Sequence, residues 1–158
     1  NLLKYNYRWK TNEQKSINQK PILINKEIQG FVLNRLQAAL LLESWELVKA
    51  GYISVQDLDQ TIKDGLGYRW SFMGPFETID LNAANGVKDY ANTFGNTYHK
   101  MMENEGYPEW DENLINRVDV ARRDILPLSD IKKREKWRDI RLMEFITHKS
   151  YSKKKHGD

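Results

Sequence analysis

The stretch GFVLNRLQAALLLESWELVKAG, Gly30–Gly51, decides what kind of fold this chain can adopt. Residues 31–50 carry strong helix formers, and Gly51 stands where a C′ glycine belongs. Arg35, Glu43, Glu46 and Lys49 interrupt the apolar run. A membrane span tolerates few such charges, so the segment reads as a buried helix of a globular domain. At about 100° per residue the four charged residues gather in one sector. Asn34 falls outside it, in line with Ala38, Leu41 and Trp45. An amide buried on an apolar face without a partner costs on the order of 1–3 kcal/mol. Asn34 therefore calls for a structural hydrogen bond to a neighbouring loop or for a ligand near the helix start. Arg35 lies in the charged sector and reads as half of an ion pair.

On the N-terminal side, KPILINKE, Lys20–Glu27, is short, β-branched and led by Pro21, the pattern of a strand. One strand cannot make a sheet. On the other side, Ser54–Asp57 (SVQD) is a capping box opening a short helix, expected to stop before Gly65–Gly67. YRWSFMGP, Tyr68–Pro75, reads as a loop rich in aromatics. In it Arg69 stands between Tyr68 and Trp70. A guanidinium held by aromatics offers a planar, bidentate grip for a carboxylate or phosphate; the plainer reading is a stacked surface arginine. Pro75 suits the first turn of a third helix over residues 76–106, bent near Gly86 and Gly95. Asp111–Ile125 is a fourth helix, closed by Pro127. Ser129–His148 is a fifth, with Ser129 as N-cap and Trp137, Ile140 and Met143 spaced three apart. One strand and about five helices make an all-α bundle the expected fold class.

Composition narrows the function classes. At 158 residues the chain fits one domain, and roughly 70% of its unfolded surface can be buried. It has no cysteine and no Asn-x-Ser/Thr sequon, which suits a reducing, cytoplasmic setting. NLLKYNYRWK lacks the apolar core of a signal peptide. The net charge of +3 is near balance, and much of the surplus sits in Lys149–Asp158, read as a solvated, disordered tail. His99, His148 and His156 have no metal-ligand spacing, so no metal site is expected. GLGYRW has Trp70 where a dinucleotide fingerprint needs its third glycine, and it follows no strand. In KKREKWRDIR, residues 132–141, Glu135 and Asp139 balance the cations. That favours a salt-bridged helix face over a nucleic-acid patch.

KPILINKEIQGFVLNRLQAALLLESWELVKAGYISVQDLD resembles the start of the C-terminal domain of the 3-hydroxyacyl-CoA dehydrogenase superfamily. The shared pattern is a last Rossmann strand, Gly-Phe-apolar-x-Asn-Arg, a long helix, then Gly and a Ser-x-x-Asp turn. DGLGYRWSFMGPFETIDLNAANG is similar to the λ-crystallin branch, the L-gulonate 3-dehydrogenases, and KWRDIRLMEF resembles that branch's C-terminal helix. The likeness covers about residues 19–148 and is looser from Gly86 to Pro127. It implies a 6-phosphogluconate dehydrogenase C-terminal-like helical fold: residues 1–26 as a Rossmann remnant, 27–150 as a substrate and dimerisation domain, and 151–158 as a basic tail. It also implies NAD as cofactor, a small hydroxy acid as substrate and a homodimer. Asn34 is the implied catalytic amide, reaching the reacting oxygen and a catalytic histidine of the Rossmann domain. Arg69, with Trp70, is the candidate for the substrate carboxylate, by chemical inference from the loop. The chain shows no glycine-rich fingerprint and no His-Pro motif followed by a glutamate, so it reads as a fragment or truncated product, inactive alone. The alternatives are a 3-hydroxyacyl- or 3-hydroxybutyryl-CoA dehydrogenase domain, and a non-catalytic, crystallin-like dimerisation protein.

Overall fold

The computed structural model describes residues 22–102 and 110–157. The chain divides into two compact units, residues 1–53 and 54–158. Among the described residues every regular element is helical: seven α-helices, one π-turn and one 3₁₀ turn. This is the expected all-α class.

In the first unit the expected strand does not form. Residues 22–27 are irregular with a bend at 25–26, and Ile22 and Leu23 are exposed; Lys20 and Pro21 lie outside the described residues. A β-branched run becomes a strand only when a neighbour takes its backbone hydrogen bonds, and the described residues supply none. The helix α1, Phe31–Lys49, does form. It ends in a Schellman motif: Tyr52 N–H donates to Leu47 O at 3.0 Å, and Gly51 N–H to Val48 O at 3.0 Å. Gly51 holds φ +78°, the left-handed conformation this cap requires.

In the second unit Ser54 caps α2, Val55–Thr61, as expected, its Oγ accepting from Asp57 N–H at 3.1 Å. The helix does not stop before Gly65. It widens into a π-turn, Ile62–Leu66, and resumes as α3, Gly67–Trp70. The third helix expected over residues 76–106 is two helices, α4, Pro75–Asp80, and α5, Val87–Met101. The break falls at Gly86, with φ +80° and ψ −163°, whereas Gly95 sits inside α5, against Trp110. Residues 103–106 lie outside the described residues. Asp111 caps α6, Glu112–Ile125, accepting from Leu114 N–H at 2.7 Å. A 3₁₀ turn, Leu128–Asp130, leads into α7, Ile131–His156, so the N-cap is Asp130 and not Ser129.

The basic tail is corrected too: α7 runs through it to His156. Lys153, Lys154, Lys155 and His156 occupy its last turn, where cations favour the negative end of the helix dipole.

Two devices hold this unit together. One is a small apolar core of Met73, Leu81 and Ile131, flanked by Phe72, Leu126 and Trp137. Phe72 and Trp137 meet edge to face at 5.6 Å. Ile140 and Met143 stay exposed, so of the three residues spaced along α7 only Trp137 packs here. The other device is Asp80, whose side chain is fully buried. Its carboxylate accepts from Val87 N–H at 2.8 Å, from Arg122 Nε at 3.2 Å and from Arg123 Nη2. One side chain from α4 thereby caps α5 and pins α6. The salt-bridged face expected on α7 is present: Arg134 donates to Glu77 at 2.8 and 2.6 Å, and Lys132 to Glu135 at 3.2 Å.

Candidate functional site

Asn34 lies in the first turn of α1, after Gly30 at φ +80° and Phe31 at φ +53°. A phenylalanine at positive φ carries strain of order 1 kcal/mol, and such strain collects at functional sites. The stripe that Asn34 shares with Phe31, Ala38, Leu41, Leu42 and Trp45 is not buried as expected. Phe31 is 58%, Leu41 49%, Leu42 67% and Trp45 73% exposed. Asn34 is itself exposed and makes no side-chain hydrogen bond among the described residues. Among the described residues its amide is therefore solvated and uncommitted. Arg35 likewise has no ion pair among the described residues; the cation that pairs on this helix is Lys49, with Glu46 at 3.1 Å.

Arg69 and Trp70 belong to the second unit. They sit at the end of α3, in a helical turn instead of a loop. That undoes the expected aromatic grip on Arg69. Sequence neighbours on a helix diverge by about 100°, so Tyr68 and Trp70 point away to either side. Both Arg69 and Trp70 are exposed. The stacked guanidinium is found elsewhere: Arg134 Cζ lies 3.4 Å from the Trp137 ring centroid, and Arg141 Cζ 5.8 Å from those of Phe72 and Trp137. Arg69 has no carboxylate partner among the described residues, which leaves its five donors for a ligand. The turn folds tightly beneath it, with Met73 N–H bonding Arg69 O at 2.9 Å and Ser71 N–H bonding Gly67 O at 3.1 Å.

The charge of Arg69 reaches Tyr90 on α5. Burial and a hydrogen bond to Tyr98 push the Tyr90 hydroxyl up to about 12, while Arg69 pulls it down. The two hydroxyls lie 2.7 Å apart and their rings stack at 6.3 Å. Tyr90 thus stays protonated at neutral pH, a hydrogen-bonding group within the field of Arg69. The sequence signal for this pair is the spacing of Tyr90, Phe94 and Tyr98 at i, i+4 and i+8, one face of a helix.

Between α4, α5 and α6 lies an apolar cavity of about 190 Å³, lined by Phe76, Ile79, Val87, Trp110, Leu114 and Val118 among others. Among the described residues no group of three acidic, histidine or cysteine side chains could hold a metal ion. No helix among them is long and apolar enough to cross a membrane.

A family model described as 3-hydroxyacyl-CoA dehydrogenase, C-terminal domain, matches residues 30–124, which include Asn34, Arg69, Trp70 and Tyr90. Lambda-crystallin of Oryctolagus cuniculus is 38% identical over 128 residues, 79% of this chain and 40% of that protein. The lambda-crystallin homolog of Homo sapiens is 37% identical over 139 residues, 86% of this chain and 43% of that protein. L-carnitine dehydrogenase of Pseudomonas aeruginosa is 32% identical over 143 residues, 90% of this chain and 44% of that protein. The chain spans about two fifths of the length of these curated relatives.

Proposed function

Because this chain belongs to the C-terminal domain family of the 3-hydroxyacyl-CoA dehydrogenases, we propose that it is the substrate-binding and dimerisation domain of an NAD-dependent L-gulonate 3-dehydrogenase. The observation that carries this reading is the similarity to the lambda-crystallins, 37–39% identical over 128–139 residues, against 32% for a carnitine dehydrogenase over 143 residues and 39% over only 80 residues for a 3-hydroxyacyl-CoA dehydrogenase. Two features of the site support it. Arg69 is an exposed, unpaired guanidinium among the described residues, suited to the carboxylate of a small acid. Asn34 is an uncommitted amide at a strained helix start among the described residues, suited to orient the oxygen of the hydroxyl group whose carbon is oxidised.

In this reading Arg69 binds a carboxylate in a bidentate pair and Trp70 covers the carbon chain; Asn34, taken by itself in the first unit, is a donor for a reacting oxygen. Oxidation of the hydroxyl would need NAD as hydride acceptor and a base for the proton, and this chain's described residues are assigned to neither. Among the described residues no strand leads into a glycine-rich helix start that could cradle the NAD pyrophosphate. Incubated alone with NAD and L-gulonate, the chain is expected to form no NADH above blank. Adding L-gulonate is expected to shift the Arg69 Nε–H and Trp70 indole resonances saturably, and Arg69→Ala to abolish the effect. Unmoved resonances would sink the substrate assignment.

The apolar cavity favours a second reading, a 3-hydroxyacyl-CoA dehydrogenase domain, since a hydrocarbon chain needs an apolar slot. Saturable shifts at Trp110 and Val118 with 3-hydroxybutyryl-CoA, and none at Arg69 with L-gulonate, would select it. The dimer is the remaining part of the proposal. The open stripe on α1 supports a homodimer burying more than about 2,000 Å², the obligate class.

A further inference from the structure

Arg69 owes its direction to an irregularity just upstream. In the π-turn Gly67 N–H bonds Ile62 O, five residues back. One extra residue per turn rotates everything after it by about 100° relative to a regular helix. The turn depends on glycine, because a Cβ on Gly67 would stand 2.9 Å from Ile62 O. π-turns of this kind are rare and concentrate at functional sites.

A side chain from far along the sequence closes over this turn. Lys149, on α7, pairs its ammonium with Asp64 inside the turn and donates to Lys63 O at 3.4 Å. The same ammonium lies 4.5 Å from the centroid of the Tyr68 ring, and Tyr68 meets Phe145 edge to face at 5.7 Å. Carboxylate, carbonyl and ring are three holds by one ammonium on residues 63–68, immediately before Arg69. The hydrogen bond that Lys149 donates to Asp64 draws the Asp64 carboxyl below its ordinary 3.8 and raises the Lys149 ammonium above its ordinary 10.5. The charged and titratable groups facing the pair are Lys63 and Tyr68.

We propose that Lys149 is a positioning residue for Arg69: from α7 it clamps the π-turn whose register aims Arg69 and Trp70. That Arg69 meets a carboxylate rests on the function proposed above; that Lys149 holds the turn does not. The lowered Asp64 pKa makes the clamp's contribution complete above the unfolded value near 4 and lost as the pH falls through the folded one. The raised Lys149 pKa makes it complete below about 10.5 and lost above the folded value. The clamp is therefore closed across the neutral range and opens in acid.

Amide exchange on the 158-residue chain tests the clamp, read as protection factors at Ser71, Phe72 and Met73, whose N–H groups bond to Gly67 O and Arg69 O. Lys149→Met is expected to lower them at least about tenfold, with the Ile115 amide of α6 unchanged as a control for the fold. Lys149→Arg, which keeps charge and donors, is expected to restore them to within about threefold. Wild-type protection should fall below about pH 4, and this acid step should vanish in Lys149→Met. Protection equal to wild type in Lys149→Met overturns the proposal. L-gulonate titration of the same two proteins separates it from the function reading. Looser protection in Lys149→Met, with no saturable shift at Arg69 in wild type, supports the clamp and removes the carboxylate role. Looser protection with unchanged L-gulonate affinity overturns Lys149 as a positioning residue.

Discussion

Asp80→Ala is expected to cost about 3–5 kcal/mol, the scale for removing one partner of a buried ion pair. The reason lies in what stays behind. Arg122 and Arg123 keep side-chain exposures of only 11% and 18%, and both point at the Asp80 carboxylate. Arg122 Nη2 is already without a hydrogen-bond partner, and Arg123 Nε faces Asp119 at 3.3 Å without hydrogen-bond alignment. Removing Asp80 would leave two guanidinium groups half-satisfied and the first N–H of α5, Val87, uncapped. For a chain of this size the loss corresponds to a melting temperature lower by roughly 6–20 °C. Urea denaturation measures it, and a loss under about 1 kcal/mol would mean the arginines find water or other partners at little cost. Gly86→Ala attacks the same centre from the backbone. Its Cβ would stand 2.8 Å from Asp80 Oδ1 and 3.0 Å from Arg123 Nη2, at a φ and ψ that only glycine holds without strain. Strain alone is worth about 1–3 kcal/mol, and the collision adds to it. Because the two sites share the carboxylate, their effects should not add: in the Asp80→Ala background Gly86→Ala should cost less by about 0.5–3 kcal/mol. Additive losses would show that the backbone strain acts alone.

That centre was not legible in the sequence, and the reason is physical. Asp80 sits in FETIDLNAANG, where Gly86 marks a bend locally. Nothing local says that the helix ends at Asp80 and restarts at Val87. The decision is made by a buried carboxylate meeting two arginines some forty residues downstream, a tertiary interaction that propensity cannot register. Local devices were legible. Ser54 caps as its side chain dictates, and Gly51 closes α1 in the left-handed conformation. The strand expected over residues 20–27 is the opposite case, a β-branched run that finds no partner strand among the described residues. The candidate site divides the same way. Asn34 was found by periodicity, a local property. The direction of Arg69 was not, since it depends on a π-turn and on Lys149, some eighty residues away. The expectation that Asn34 must find a bond failed at its premise: the apolar stripe around it is open.

That open stripe sets up the last prediction. A protomer that leaves Phe31, Leu41, Leu42 and Trp45 largely exposed on one side of a helix carries a patch few monomers tolerate. Burying a leucine is worth about 1.5–3 kcal/mol, and twofold symmetry makes each substitution act twice in the dimer. Leu41→Glu with Trp45→Glu is therefore expected to raise the dimer dissociation constant by well over about a hundredfold, before the charge repulsion across the axis is counted. Light scattering at about 10 μM, a concentration at which an obligate dimer stays assembled, should return twice the 18.7 kDa chain mass for wild type and the single mass for the double variant. Because both side chains are exposed in the protomer, helical circular dichroism should stay unchanged, which separates lost association from lost folding. A monomeric wild type would remove the homodimer. A double variant that still dimerises would move the interface off α1 and leave the stripe around Asn34 to some other cover.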